Sequence, residues 1–231
     1  MFTLNDTKLV IVAAAAALLT ACGGGGGGSA GQVASSLTFN ASSAIRSLNT
    51  SGQSATFSVS SSNGCTGSAS YTVGAATTNT TFETQTALSS TSMLNINYTN
   101  CTPATISSTT TNYMDTNYAP LGVSGEKYIV YTGYIAPTTA RVGDVGIIGN
   151  FLRYTNSSKT TQDGTGQFSY VVEADSENTA LITVSTKAYS IPTALESTQL
   201  TKYRISSSNV MSLVSITIQY ASGINIVLTR T

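Results

Sequence analysis

The chain has 231 residues, ten Lys and Arg against ten Asp and Glu, and no histidine or tryptophan. A neutral chain without basic clusters has no electrostatic grip on nucleic acid, so no nucleic-acid partner is expected. Without histidine there is no Ser-His-Asp triad, no Cys-His pair and no histidine-based zinc site. Only paired carboxylates or lysine remain open to an enzyme.

The first segment, Leu9 to Ala21, is apolar, uncharged and thirteen residues long. About 20 apolar residues are needed to cross a bilayer as a helix, so this run has the length of a signal-peptide core instead. It is followed by Leu19-Thr20-Ala21-Cys22 and then six glycines, Gly23 to Gly28. Leucine, two small residues and cysteine resemble the lipobox of bacterial lipoprotein precursors. That resemblance implies cleavage after residue 21, a diacylglyceryl group on the Cys22 thiol and acylation of the new amine. Several acyl chains hold a membrane far better than one. Residues 22–31 then form a Gly-rich linker between membrane and body. Gly23 stands where an aspartate signals inner-membrane retention, so the resemblance implies the outer membrane of the cell envelope.

Removal of residues 1–21 takes away Asp6 and Lys8, leaving nine acidic and nine basic side chains. These are unevenly spread. Between Cys22 and Gly125 only Arg46, Glu83 and Asp115 are charged, whereas residues 126–231 hold eight basic and seven acidic residues. The chain therefore divides into a Ser/Thr-rich β region over 32–125 and an antiparallel meander region over 126–231.

In the first region, apolar residues alternate with small polar ones. Phe57 and Val59, Tyr71 and Val73, and Leu94, Ile96 and Tyr98 each share one strand face. Threonine suits the pleat because its branched side chain packs there. Cys65 and Cys101 sit at similar turns, after Asn63-Gly64 and Asn100. In an oxidising compartment they are expected to pair as a disulfide. Tyr113, Tyr118, Tyr128, Tyr131 and Tyr134 crowd one stretch. Tyrosine offers contact area with a polar tip, which suits sugar or peptide binding, and it is equally an ordinary strand residue.

Next come "EKYIVYTGYI" and "VGIIGNFLRY", each read as a strand. The glycines at 143, 146 and 149 are spaced like a phosphate loop, but no helix follows, so a strand with a bulge is expected. "QFSYVVEA", "ALITVSTKAYS", "TQLTKYRIS", "SLVSITIQY" and "INIVLTR" then alternate between short turns, which predicts a five-stranded antiparallel meander. Its clearest inward row is Val214, Ile216, Ile218 and Tyr220. "TALESTQLTKY" has room for one helical turn, and no other helix is expected after the signal. Glu173, Asp175, Glu177 and Asn178 offer oxygen ligands of the kind calcium takes, without a calcium-loop pattern. They read as a solvated turn.

The C-terminal stretch from Phe168 to Gly223 is similar to the end of small proteobacterial envelope lipoproteins of no established role, which implies a fold and no activity. The expectation is thus an all-β chain, an antiparallel sandwich or curved β-meander, stapled in its first half. No catalytic residue, metal or cofactor is expected. Two functions remain: a lipid-anchored envelope protein that binds a protein or glycan partner or supports structure, and a carrier of a lipid or other hydrophobic ligand in a β cavity. A carboxylate enzyme is a third. A solid core would favour the first; an enclosed apolar cavity of several hundred Å³ would favour the second.

Overall fold

A computed structural model describes residues 33–231. The signal segment 1–21, Cys22 and its linker to residue 31 lie outside the described residues. The body is all-β and antiparallel, as the alternation predicts. Its strands are β1 (Gln53–Ser61), β2 (Thr66–Val73), β3 (Thr78–Phe82), β4 (Gln85–Tyr98), β5 (Thr105–Met114), β6 (Pro120–Ser124), β7 (Tyr128–Thr132), β8 (Val145–Tyr154), β9 (Gln162–Ser176), β10 (Thr179–Ser190), β11 (Leu195–Ser206), β12 (Met211–Tyr220) and β13 (Asn225–Arg230).

From β4 to β13 each strand pairs with the next one in sequence. β13 then pairs with β1, β1 with β2, and β2 with β4. Twelve strands thereby close a ring, with β3 left as a hairpin partner of β4. The curved meander runs full circle, and strands from both halves of the sequence enter one sheet. Closure leaves the ring without an edge.

Alternation sorts the two faces. Phe57, Val59, Tyr71, Leu94, Ile96, Ile216, Ile218, Ile226 and Leu228 pack together inside. On β1 the intervening Ser54, Thr56, Ser58 and Ser60 are exposed. The expected row on β12 needs one correction. The register slips between the Lys202–Ser215 and Tyr203–Leu213 pairs, so Val214 is the extra residue of a bulge. Leu213 takes its place in the core beside Ile216 and Ile218, and Val214 stays half-exposed. One inserted residue flips every side chain beyond it.

A second correction concerns helix. "TALESTQLTKY" runs into β11 and contains no helical turn. A helix does occur where none is expected, α1 (Ala41–Ser51). Asn40 caps it, its side-chain oxygen accepting from the Ser43 amide at 2.9 Å, and Gly52 closes it with φ +70°. Ala41, Ala44, Ile45 and Leu48 recur at helical spacing and pack on Val172, Ile182, Ile205 and Met211.

The segment carrying α1 ties together the turns at one end of the barrel. The Ser35 hydroxyl donates to the Glu177 carbonyl, Phe39 pairs with Ala140, the Asn40 amide donates to Asn209 Oδ1, and the Arg46 guanidinium lies over the Tyr118 ring. We call this the helix end. At the opposite end Cys65 and Cys101 form the expected disulfide, joining the β1–β2 and β4–β5 turns. The Asn100 side chain reinforces that junction through the Gly64 carbonyl and the Thr66 amide.

Candidate functional site

Large side chains of the ring, among them Phe57, Leu94, Ile96, Phe151, Phe168 and Leu228, are fully buried. Gly164 and Gly166 on β9 make this possible on one wall. A side chain at Gly164 would strike the Arg153 guanidinium at 2.6 Å, and one at Gly166 would strike the Phe151 ring. Arg153 therefore lies across β9, buried, and reaches Glu196 on β11 at 2.5 Å and Asp163 at 2.8 Å. Lys127 also pairs with Asp163. Burial works to raise the Asp163 carboxyl, but its bonds to Lys127 and Arg153 outweigh that and hold it low. This network fills space and cross-ties β8, β9 and β11.

A cavity of about 150 Å³ lies beneath α1, roofed by Ala41, Ile45 and Leu48 of the helix and by Ala136 and Pro137 of the β7–β8 loop. Its walls include Val73, Ile148, Ile182, Val184 and Met211, the amide side chains of Asn49, Gln53 and Asn112, and six tyrosines, Tyr71, Tyr113, Tyr131, Tyr134, Tyr170 and Tyr203. Among the described residues, none that lines it is charged. Four of the tyrosines, Tyr71, Tyr131, Tyr134 and Tyr203, come from three separate parts of the chain, and Tyr71 and Tyr134 each interact with both Tyr131 and Tyr203. Burial pushes all four upward in pKa. Tyr203 adds to the shift at Tyr71 and Tyr134, and Tyr134 and Tyr71 add to that at Tyr131. Tyr203 rises less, to about 12, because a hydrogen bond with Gln53 opposes its burial. All four are therefore neutral hydroxyls at neutral pH. They are able to donate to a ligand oxygen and unable to act as a base.

The crowded tyrosine stretch is divided by the fold. Tyr131 and Tyr134 stack at 6.0 Å and border the cavity beside Phe168. Tyr113, which also borders the cavity, and Tyr128 stack on Phe82 of β3, at 4.5 Å and 5.4 Å. Tyr118 lies under Arg46. Tyr71 and Tyr203 complete the cavity although each is distant in sequence. The alternation placed both on apolar strand faces; that these faces meet follows from ring closure.

The other candidate positions resolve as structure. The Gly143–Gly149 stretch is a turn and a strand with a bulge between Ile147 and Gly149. Glu173 pairs with Lys202 at 3.0 Å and accepts from Thr183, while Asp175 pairs with Arg204 at 2.6 Å and accepts from Thr179. Their carboxylate oxygens are thus engaged by cations and hydroxyls on neighbouring strands. Comparison with protein families, curated proteins and solved structures finds no match.

Proposed function

We propose that this chain is a non-catalytic, lipid-anchored protein of the bacterial cell envelope whose barrel holds a compact, mainly apolar ligand. The cavity beneath α1 carries the reading. At about 150 Å³ it equals the engineered cavities that take up benzene, and it falls short of the several hundred Å³ of a typical drug-sized pocket. It therefore suits a molecule of one ring better than a whole lipid. Neutral phenols and a few side-chain amides in a mainly apolar wall call for a ligand with one or two acceptor oxygens, since apolar walls give burial and a few donors give orientation. The lipobox resemblance at Leu19-Thr20-Ala21-Cys22 supports the anchor and an outer-membrane address. The outer wall of exposed hydroxyls on β1, unlike the apolar band of a membrane-spanning barrel, supports a body standing in water beside the membrane.

Calorimetry with acetophenone and ethylbenzene tests the binding role. Acetophenone, a ring with one carbonyl, is expected to bind one per chain, about tenfold tighter than ethylbenzene, the worth of one hydrogen bond. Tyr134→Phe combined with Tyr203→Phe should erase that preference, and Val184→Phe, by filling the space, should abolish both. Absence of saturable binding by either compound would refute the ligand role, and equal binding would remove the phenols from it.

A further inference from the structure

Of nine large apolar side chains exposed among the described residues, six gather at the helix end, whereas Ile191 and Leu195 lie at the disulfide end and Met93 on the wall. Ile135 is 77% exposed, Ile147 67% and Val210 61%, with Val145, Val33 and Leu37 beside them. The Ile135 amide donates to the Ile148 carbonyl, which sets Ile135 next to Ile147 on the wall outside the cavity. Val210 follows the Asn209 turn that holds Asn40, and Leu37 precedes the Phe39–Ala140 bridge. Val33, paired with Asp175, is where the described chain begins.

We propose that this rim docks on the lipid bilayer, so that the roofed mouth of the barrel faces the membrane surface. Attachment geometry and surface chemistry agree on it. The proposal rests on the anchor at Cys22. Only ten residues separate Cys22 from Val33, a reach of about 40 Å even when fully extended. An anchor that short, joined at the helix end, keeps this end nearer the bilayer than the disulfide end. Tethering also raises the effective concentration of the rim at the surface, so that weak apolar contacts suffice. Charges of both signs stand at the rim and leave little net charge: Arg141 donates through its guanidinium to Thr38 and through its amide to Asp144 beside Val145, Glu177 lies in the β9–β10 turn, and Asp175 pairs with Arg204. Docking is therefore driven by apolar side chains at the headgroup boundary, with little dependence on salt or on anionic lipid. A ligand leaving the cavity past α1 then enters the interface and not bulk water.

The chain contains no tryptophan, so a single one can be placed at will. The full-length protein carrying Ile135→Trp or Ile147→Trp is reconstituted into phosphatidylcholine vesicles containing dibrominated lipid. Met93→Trp on the wall and Ile191→Trp at the disulfide end serve as controls. Tryptophan at 135 and 147 should be quenched several-fold more than at 93 or 191, in low and high salt alike. Equal quenching at all four sites, or stronger quenching at 191, overturns the proposal. So does a rim tryptophan that shifts to the blue with protein concentration and ignores brominated lipid, because the rim would then meet a second copy. Mass spectrometry of the same sample reads the lipid on Cys22 separately. A lipidated protein with unquenched rim sites refutes docking and leaves the anchor; an unlipidated protein with quenched rim sites refutes the anchor and leaves docking.

Discussion

The two halves of the ring share one core and hold their walls together by different chemistry. Around β4 and β5 the cross-strand contacts are neutral: Ser92 with Thr110 at 2.6 Å, Ser107 with Asn95 at 2.6 Å, Thr105 with Asn97 at 3.2 Å. The disulfide closes the same half. From β7 to β11 the ties are ionic, through Lys127, Arg153, Lys202 and Arg204 and their carboxylates. One pair, Lys159 with Glu83, crosses from one half to the other. A strand ladder accepts either kind of side-chain pair because the backbone bonds carry the geometry and the pairs add tenths of a kcal/mol each. What differs is the agent that undoes them. One half answers to a reductant, the other to protons, and the shared core to neither.

The core is where both halves fail together. Ile216 is 2% exposed and packs among side chains from both halves. Ile216→Asp buries an unpaired charge and is expected to cost about 4–5 kcal/mol, enough to unfold the whole ring. Thr217→Asp, one residue along on the opposite face, should cost less than about 1 kcal/mol. Thermal melts of the two variants check this, and similar losses would mean that both faces of β12 are covered.

Opening the staple should separate the halves. The disulfide spans 36 residues, and its loss in a Cys65→Ala, Cys101→Ala double variant is expected to cost about 3–4 kcal/mol in the chain-entropy account. Urea unfolding gives the magnitude. Amide exchange should quicken in β1, β2, β4 and β5 and stay slow in β9 to β11. Uniform acceleration would show that the staple guards the ring as a whole.

Acid should act in the opposite direction with a smaller effect. Bonds from Arg204 lower the Asp175 carboxyl. At Glu173 and Asp163 burial is overcome by bonds from Thr183 and Lys202, and from Lys127 and Arg153. A carboxyl lowered in the folded state contributes stability that is full above its unfolded pKa, about 4, and drains as pH falls through the folded value. Between pH 6 and pH 3, protection against amide exchange, relative to the intrinsic rate at each pH, should therefore fall in β8 to β11 before it changes in β4 and β5. Equal response of both halves would show that the ion pairs contribute little.

Much of this fold was legible one strand at a time. The rows Phe57–Val59, Leu94–Ile96 and Ile216–Ile218 announce their strands because a half-buried strand repeats every two residues. The pairing of Cys65 with Cys101 followed from their being the two cysteines left in the body. Three features were not read. α1 carries its signs, an Asn40 cap, Gly52 at the far end and Ala41, Ala44, Ile45 and Leu48 at helical spacing, but serine and threonine around them mask the pattern. The bulge at Val214 depends on pairing with Lys202 and Tyr203, and no local rule places it. Closure depends on β13 meeting β1 across the full length of the barrel. The cavity inherits that difficulty, since Tyr71 and Tyr203 become neighbours of Tyr131 and Tyr134 only in the closed ring.

The position of β13 governs when the molecule is complete. Asn225–Arg230 lies between β12 and β1, pairing with both. Ribosomes build from the N terminus, so these six residues are the last of the barrel to become available. Until they arrive, β1 and β12 each present a row of unpaired amides and carbonyls, open to other chains. The wedge that finishes the wall is also a clock. The earlier strands remain an open sheet until β13 emerges, and the ring becomes an edgeless body in one long-range step.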